Sequence, residues 1–333
     1  MTERLSEWIE QLSGRRVLVV GDVILDEYLI GSATRMSREA PIPVIELETR
    51  QYIPGGAANP SANIASLGSQ VQQIGVIGDD SAGQTLCDVL KVRGIESSGL
   101  IVDASRPTTV KSRIMAQMGL RFPQQLARLD SLSREPVRDD IVQQVLETIE
   151  QRLTEAEAVL LSDYHIGLLT QALVTRVREL AQARNLPLTA DAQGYLDKYH
   201  GFTVVKCNAN EASAYLKRPL HADADFAAAA ADLRQRLDLR GAMVITRGAD
   251  GATLAAADGS TAHCPAPEVS DVYDTVGAGD TAIAVLTLAV AAGGIPYADA
   301  VMLANYASGL VVRRVGNYAP SLDELREAVE AGD

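Results

Sequence analysis

The stretch Asp274-Thr-Val-Gly277-Ala278-Gly279-Asp280 places two glycines around a small residue and ends in a carboxylate, directly ahead of an apolar, alanine-rich run over 281–292. That run predicts a buried helix. Glycines at its start let the backbone pass close to a bulky anion, and the free N–H groups and dipole of a helix N-terminus favour negative charge there. Gly277, Ala278 and Gly279 are therefore candidates for an anion hole. On this reading the same donors hold Asp280 ionised, so that it can take a proton from a hydroxyl beside the anion. An anion hole with an adjacent base is what phosphoryl transfer to an alcohol requires. The alternative is a tight turn followed by an N-cap, and the rest of the chain decides between them.

Three more carboxylates close apolar strand patterns: Asp22 after 17–21, Asp163 after 159–162 and Asp191 after 186–190. In a parallel sheet all three fall on the rim where ligands bind. Each alone could cap a loop; together they predict a shared polar cleft, with Asp26 as a further member. Gly55 and Gly56 precede Asn59 and Asn63, which are four apart and share a helical face. That pattern suits a polyol. Residues 104–129 hold Arg106, Lys111, Arg113, Arg121 and Arg128 and no acidic residue, in a chain of net charge −13. A strand over 109–114 puts Lys111 and Arg113 on one face. The excess of cations predicts a site for an anionic substrate such as a sugar phosphate; for any single one of them, a solvated hairpin is the alternative.

The elements that must carry these residues alternate in type. A strand over 71–77 and helices near 80–93, 136–153, 170–184 and 298–313 predict an α/β protein. Pro41 and Pro43 within 29–50 suit an edge strand or a peripheral flap. At 333 residues the length allows two domains or one α/β unit with an insertion, and 47% hydrophobic with 4% aromatic residues suits an aliphatic core. The acidic balance argues against nucleic acid and anionic membranes as partners. Residues 1–10 read as an amphipathic helix rather than a signal peptide, and the run 281–292 is too short to span a bilayer. Cys87, Cys207 and Cys264 lack metal-site or disulfide spacing. No P-loop or dinucleotide fingerprint occurs, and the histidines at 165, 200, 221 and 263 form no triad or ligand spacing. A cytoplasmic protein is expected.

The wording D-T-x-G-A-G-D resembles the second signature of the ribokinase (PfkB-type) family of small-molecule kinases. Gly55-Gly56-Ala-Ala-Asn59-Pro-Ser-Ala-Asn63-Ile-Ala-Ser-Leu-Gly68 resembles its first. The resemblance covers roughly 15–325, with the motifs in order. It implies a ribokinase-like three-layer α/β/α sandwich, one kinase domain over 1–333, with a small β-sheet lid inserted from about 29–50 and 104–130. It implies ATP and Mg2+ as cofactors and Asp280 as catalytic base. Asn208 and Glu211 match the family's N-x-x-E, which organises magnesium and nucleotide phosphates largely through water. Thr246-Arg-Gly248-Ala-Asp-Gly251 is similar to the loop bordering the nucleotide. Asp274 joins that ATP-binding set, and Asn305 would stand on the far wall of the adenine pocket. Asp22, Gly55, Gly56, Asn59, Asp163 and Asp191 would bind the sugar, and Lys111, Arg113 and Arg128 its phosphate. An exposed lid sheet would be covered by pairing two lids in a homodimer.

Within the family, Gly21-Asp22-Val-Ile-Leu-Asp26, Arg35-Met-Ser-Arg-Glu39-Ala-Pro41-Ile-Pro43-Val, Leu161-Ser-Asp163-Tyr164 and Val272-Tyr273-Asp274 resemble the heptose-phosphate kinases of lipopolysaccharide core synthesis. That resemblance implies phosphorylation of the anomeric hydroxyl of D-glycero-β-D-manno-heptose 7-phosphate by a stand-alone kinase. Adenylylation would then lie on another polypeptide. The chain departs from those relatives at Ile166 and Gln193, where they carry lysine. The alternatives are a kinase of another sugar or sugar phosphate, and a non-catalytic sugar-binding regulator.

Overall fold

The computed structural model describes residues 2–117, 123–269 and 271–332. In chain order come α1 (Thr2–Gln11), β1 (Arg16–Gly21), β2 (Val23–Met36), β3 (Pro43–Gly56), α2 (Ala58–Ser66), β4 (Gln70–Ile77), α3 (Ser81–Val92), β5 (Glu96–Val102), β6 (Val110–Gln117) and β7 (Gln124–Ser131). There follow α4 (Asp139–Arg152), β8 (Ala158–Ser162), α5 (Gln171–Gln182), β9 (Leu188–Asp191), β10 (Val204–Asn208), α6 (Ala209–Leu216), α7 (Asp223–Arg236) and β11 (Ala242–Thr246). The chain closes with β12 (Ala252–Ala256), β13 (Thr261–Cys264), α8 (Ala278–Ala292), α9 (Tyr297–Val312) and α10 (Leu322–Ala331).

The large sheet runs β13-β12-β11-β10-β9-β8-β1-β4-β5. It is parallel from β5 to β11, and only β12 and β13 turn antiparallel at one edge. Strand β1 shows why it lies inside: every residue after Arg16 is buried, as a strand covered on both faces must be. Val17 and Val19 pack with α1, α2, α8, α9 and α10, whereas Leu18 and Val20 pack with α4, α5 and α7. The alternation of side chains thus builds the three layers. Helix α8 is buried continuously from Asp280 to Ala289; its alanines allow close packing against α2 and α9.

The second sheet runs β3-β2-β6-β7. Its two hairpins, β2–β3 and β6–β7, are antiparallel, and they join through a parallel β2–β6 pairing. Pro43 opens β3, an edge strand, where its missing N–H costs no ladder bond. Strand β2 begins at Val23, ahead of the expected 29, because it leaves directly from the rim of the large sheet. All of β7 is exposed, and Met36, Ile42, Leu47, Leu126 and Leu129 are exposed apolar side chains on this sheet and its loops. Among the described residues no helix is long and apolar enough to cross a membrane.

Candidate active site

The large sheet brings the strand-end residues to one rim. Gly21 pairs with Ser162, Ser162 with Asp191, Asp191 with Lys206, and Asn208 with Thr246. Asp22, Asp163, Asp191, Asn208 and Thr246 therefore stand side by side, as the strand patterns predict. The start of α8 projects over this rim. Gly277, its N-cap, takes φ +87°, and a Cβ there would lie 2.9 Å from Asn59 Nδ2 and 3.1 Å from Asn317 Oδ1. A Cβ on Gly279 would lie 2.9 Å from Lys206 Nζ. The two glycines are what allow the helix to begin so close to these polar groups.

Asp280 is the third residue of α8 and is buried. Asn59 Nδ2 donates to its Oδ2 at 2.8 Å and the Tyr164 hydroxyl donates to its Oδ1 at 2.8 Å. Burial, reinforced by the charge of Asp191, pushes the carboxyl up to about 6, against the pull of Asn59, Lys206 and Tyr164. Its lowering partners are thus Asn59, Lys206 and Tyr164 rather than the helix-start amides, and at about 6 the carboxyl is still largely ionised at neutral pH. A carboxylate poised near neutrality is what a general base needs. Asn59 serves this carboxylate rather than standing free for a polyol. It is fixed in turn by Asn63, whose Nδ2 donates to Asn59 O at 3.0 Å and whose Oδ1 accepts from Thr281 Oγ1 at 2.8 Å.

The other rim carboxylates divide by role. Asp22 accepts from the backbone N–H groups of Tyr164, Ile166 and Leu168 at 2.9, 3.1 and 3.4 Å, so it clamps the loop after β8 instead of offering a free carboxylate to sugar. Burial first, then the charge of Asp163, raises it. Asp163 is likewise engaged within the protein, by Lys198, Tyr199 and His165. Although burial opposes it, these partners hold its carboxyl down at about 2. Asp191 differs. Its Oδ2 pairs with Lys206 Nζ at 2.8 Å, and its Oδ1 is buried without a partner. Lys206 also donates to Gly279 O at 3.2 Å, tying the anion hole to the rim.

On the other side, Asn208 and Glu211 form a reciprocal capping box at the start of α6, Glu211 N donating to Asn208 Oδ1 at 2.9 Å and Asn208 N to Glu211 Oε2 at 2.8 Å. These are hard oxygen donors of the kind magnesium takes. The box leaves Glu211 Oε1 outside it, and burial, with the charge of Asp191, raises Glu211. With the unpartnered Asp191 Oδ1 nearby, the local excess of negative charge fits a water-mediated divalent cation. Thr246 ends β11, and Gly248 (φ +62°) and Gly251 (φ +83°) shape the turn after it. Two members of the expected nucleotide set are structural. Asp274 accepts from Val276 N and Gly316 N, both at 3.0 Å, and so braces the anion-hole loop. Asn305 Nδ2 donates to Cys264 O at 2.9 Å and Pro265 O at 3.1 Å, which pins the exit of β13 and commits the amide.

The basic stretch changes character in three dimensions. Arg113 is buried in an ion pair with Asp26 at 2.5 Å. Exposed Arg128 grips Asp130 through Nε and Nη2 at 2.8 and 3.0 Å, and Arg106 lies 3.5 Å from Asp103. The window 104–129 looked purely cationic because Asp103 and Asp130 sit just outside it and Asp26 lies on the neighbouring strand. Lys111 remains, half-buried, its ammonium 4.9 Å from the Tyr164 ring centroid. Met118, Gly119 and Arg121 lie outside the described residues. Gly55 is needed for packing, since a Cβ there would run into the Asp26 carboxylate, and Gly56 adopts φ +56° over Asp22 O.

Three residues escaped the sequence reading. Tyr164 was legible only as part of a longer resemblance. Lys206 carried a usable signal, an ionisable residue in the middle of an apolar buried strand. Asn317, which donates to Asp26 Oδ2 at 2.6 Å and Pro54 O at 3.2 Å while its Oδ1 faces Gly277, had none.

The three-layer fold, with a poised carboxylate at a glycine-lined helix start, defines a carbohydrate kinase. The pfkB family carbohydrate kinase model matches residues 15–324, and the chain belongs to that family. A curated relative, the bifunctional protein HldE of Hyphomonas neptunium, is 37% identical over 99% of this chain and 66% of its own length. HldE of Pseudomonas aeruginosa is 40% identical over 94% of this chain and 63% of its own. The chain thus spans about two thirds of these relatives. Among solved structures, ribokinase of Arabidopsis thaliana complexed with ribose and ATP aligns with TM-score 0.73 at 19% identity, covering 95% of this chain and 99% of that one. Phosphofructokinase-2 of Escherichia coli, in complex with substrates and products, aligns with TM-score 0.77 at 19% identity, covering 95% and 99%.

Proposed function

We propose that this chain transfers the γ-phosphoryl group of ATP to the anomeric hydroxyl of D-glycero-β-D-manno-heptose 7-phosphate, giving the 1,7-bisphosphate used in lipopolysaccharide core synthesis. The observation that carries the reaction type is Asp280, buried at the mouth of α8 and poised at about 6. The heptose assignment is supported by the stretches that resemble heptose-phosphate kinases and by the similarity to HldE along the whole chain. In this reading Asp280 takes the proton of the attacking hydroxyl, and the amides of Gly277, Ala278 and Gly279 receive the charge of the transferring group. Magnesium, held through water by Asn208 and Glu211 with the nucleotide phosphates, would neutralise phosphate charge. Asp191 Oδ1 offers the acceptor for a sugar hydroxyl, and Lys111 the cation for the sugar's phosphate. Thr246, Gly248 and Gly251 border the nucleotide. The small sheet excludes water as a lid, and two such sheets pair in a cytoplasmic homodimer that covers Leu47 and Leu129.

A second reading, a kinase of a different phosphosugar, draws on the neutralisation of Arg113 and Arg128, which leaves the phosphate grip to fewer cations. The test is ADP release with ATP, magnesium and a panel of free and phosphorylated sugars. Turnover confined to the heptose 7-phosphate supports the first reading. Preferred turnover of a hexose phosphate supports the second, and preferred turnover of a free sugar, or sugar binding without turnover, overturns both.

A further inference from the structure

Both oxygens of Asp280 are occupied by donors from the protein itself, and the two donors are built differently. Asn59 sits within α2 and is held by Asn63. Tyr164 stands on the loop after β8, and that loop is tied to the rim by the buried Asp22, which accepts the N–H groups of Tyr164, Ile166 and Leu168. The Gln193 side chain lies within reach of its phenol, and the Lys111 ammonium lies over its ring, 4.9 Å from the centroid. The backbone around both contacts is unusual: His165, Gln193 and Tyr195 all take positive φ, at 57°, 36° and 39°. Such conformations are costly for residues with side chains and persist only where the surroundings impose them.

We propose that Tyr164 is a positioning residue for the catalytic carboxylate: its hydroxyl fixes Asp280 Oδ1 and favours the ionised form that can accept the substrate's proton, with Asp22 and Gln193 holding the phenol in place. The proposal rests on the reading of Asp280 as the base. It gives a purpose to two groups otherwise unexplained, a carboxylate that binds only backbone amides and a glutamine on a left-handed backbone. The groups that face Asp280 are Asn59 from α2, Tyr164 from the loop after β8, Asp191 from β9 and Lys206 from β10. Asp191 opposes ionisation, while Asn59, Lys206 and Tyr164 favour it. The phenol itself remains protonated, because burial and then the Asp280 charge push its ionisation well above the usual tyrosine range.

The experiment is the pH dependence of kcat/KM for Tyr164→Phe beside the unsubstituted enzyme, with Asp280→Asn as control. A base must be deprotonated to act, so kcat/KM rises through the pKa of the free enzyme's carboxyl. Removing a donor to the ionised form raises that pKa. The acid limb of Tyr164→Phe is expected to move upward by roughly half to one pH unit, with activity falling about two- to fivefold at pH ~6 and changing little near pH ~8.5. Ionisations of the reactant phosphates are common to both enzymes and cancel in the difference. A limb that stays in place, or an equal loss at every pH, overturns the proposal. The carboxyl of Asp280, followed by 13C NMR of aspartate-labelled protein and assigned by its absence in Asp280→Asn, is expected to titrate higher in Tyr164→Phe; an unchanged titration also overturns it. If the phenylalanine variant does not fold, 3-fluorotyrosine placed at position 164 supplies a stronger donor of nearly equal size and is expected to move the limb downward, an unmoved limb counting against the proposal. Full turnover by Asp280→Asn would instead remove the base reading itself, a result distinct from an unmoved limb.

Discussion

The rim of the large sheet and the face of the small sheet both carry charge, but they settle it in opposite ways. In the small sheet, charges are matched: Arg113 with Asp26, Arg128 with Asp130 and Arg50 with Glu27. At the rim, Asp191 keeps one oxygen buried and unpartnered, and Asp280 is pushed up to about 6. Charge left unsettled in a buried place lowers stability; among the described residues it is concentrated in the carboxylates of the rim, while on the small sheet Lys111 is the half-buried cation left without an ion pair.

The largest effect expected to sharpen this contrast is at Asp280. Asp280→Asn should lower kcat by about 10³-fold or more, read by ADP release, and at the same time raise stability at pH 7. The sign follows from the raised carboxyl: with a folded-state value near 6 and an ordinary value of 3.8, the ionised form weakens the fold at neutral pH, and this group adds stability as pH falls from about 7 toward 4. Calorimetry should find the variant more stable at pH 7 by roughly 1–3 kcal/mol, with that gain vanishing by pH ~4. In the small sheet the opposite is expected. Arg113→Met strands Asp26 as a buried unpaired charge and should cost about 3–5 kcal/mol in denaturant unfolding, while the KM for the sugar phosphate of the folded enzyme stays within about twofold. A large rise in that KM would return Arg113 to the substrate.

Asp163 lies on the rim yet is fully paired, so it should behave like the small sheet. Its carboxyl, held at about 2, contributes stability that is present above pH ~4 and lost as pH falls toward 2, an effect of about 2 kcal/mol that Asp163→Asn should abolish in acid unfolding. The smallest effect on stability is expected at the exposed leucines. Leu47→Glu with Leu129→Glu should change unfolding free energy by less than about 0.5 kcal/mol each, yet, on the proposed pairing of two small sheets, lower the sedimentation coefficient in analytical ultracentrifugation from that of a dimer to that of a monomer; an unchanged coefficient counts against that pairing.

The helices and strands of the large sheet were legible because apolar period and strand-end carboxylates repeat along the chain. The expected helices at 80–93, 170–184 and 298–313 are found at Ser81–Val92, Gln171–Gln182 and Tyr297–Val312. The contents of the site were legible as residue types but not as partnerships. Asp22, Asn59 and Asp274 stand at the site as expected, yet they serve the protein's own amides and carboxylate. Which lone pairs a neighbour occupies depends on segments more than 100 residues away, as with Asp22 and the loop after β8. The basic stretch misled for the same reason, since Asp26 neutralises Arg113 across a strand pairing that no local window contains. Asn317 reaches Asp26 from 291 residues away, and nothing in its own neighbourhood announces that.

The small sheet also constrains how the chain assembles. Each of its hairpins closes locally, but the parallel β2–β6 seam joins residues such as Leu25 and Val110, with α2, β4, α3 and β5 between them. Closing so long an intervening segment carries an entropic cost that short-range hairpin contacts avoid. The seam therefore completes only after that part of the large sheet has condensed. During synthesis the β2–β3 hairpin emerges first and waits with its inner edge unpaired over residues 57–109, a span in which a nascent chain is most open to chaperones and to mispairing with its own copies.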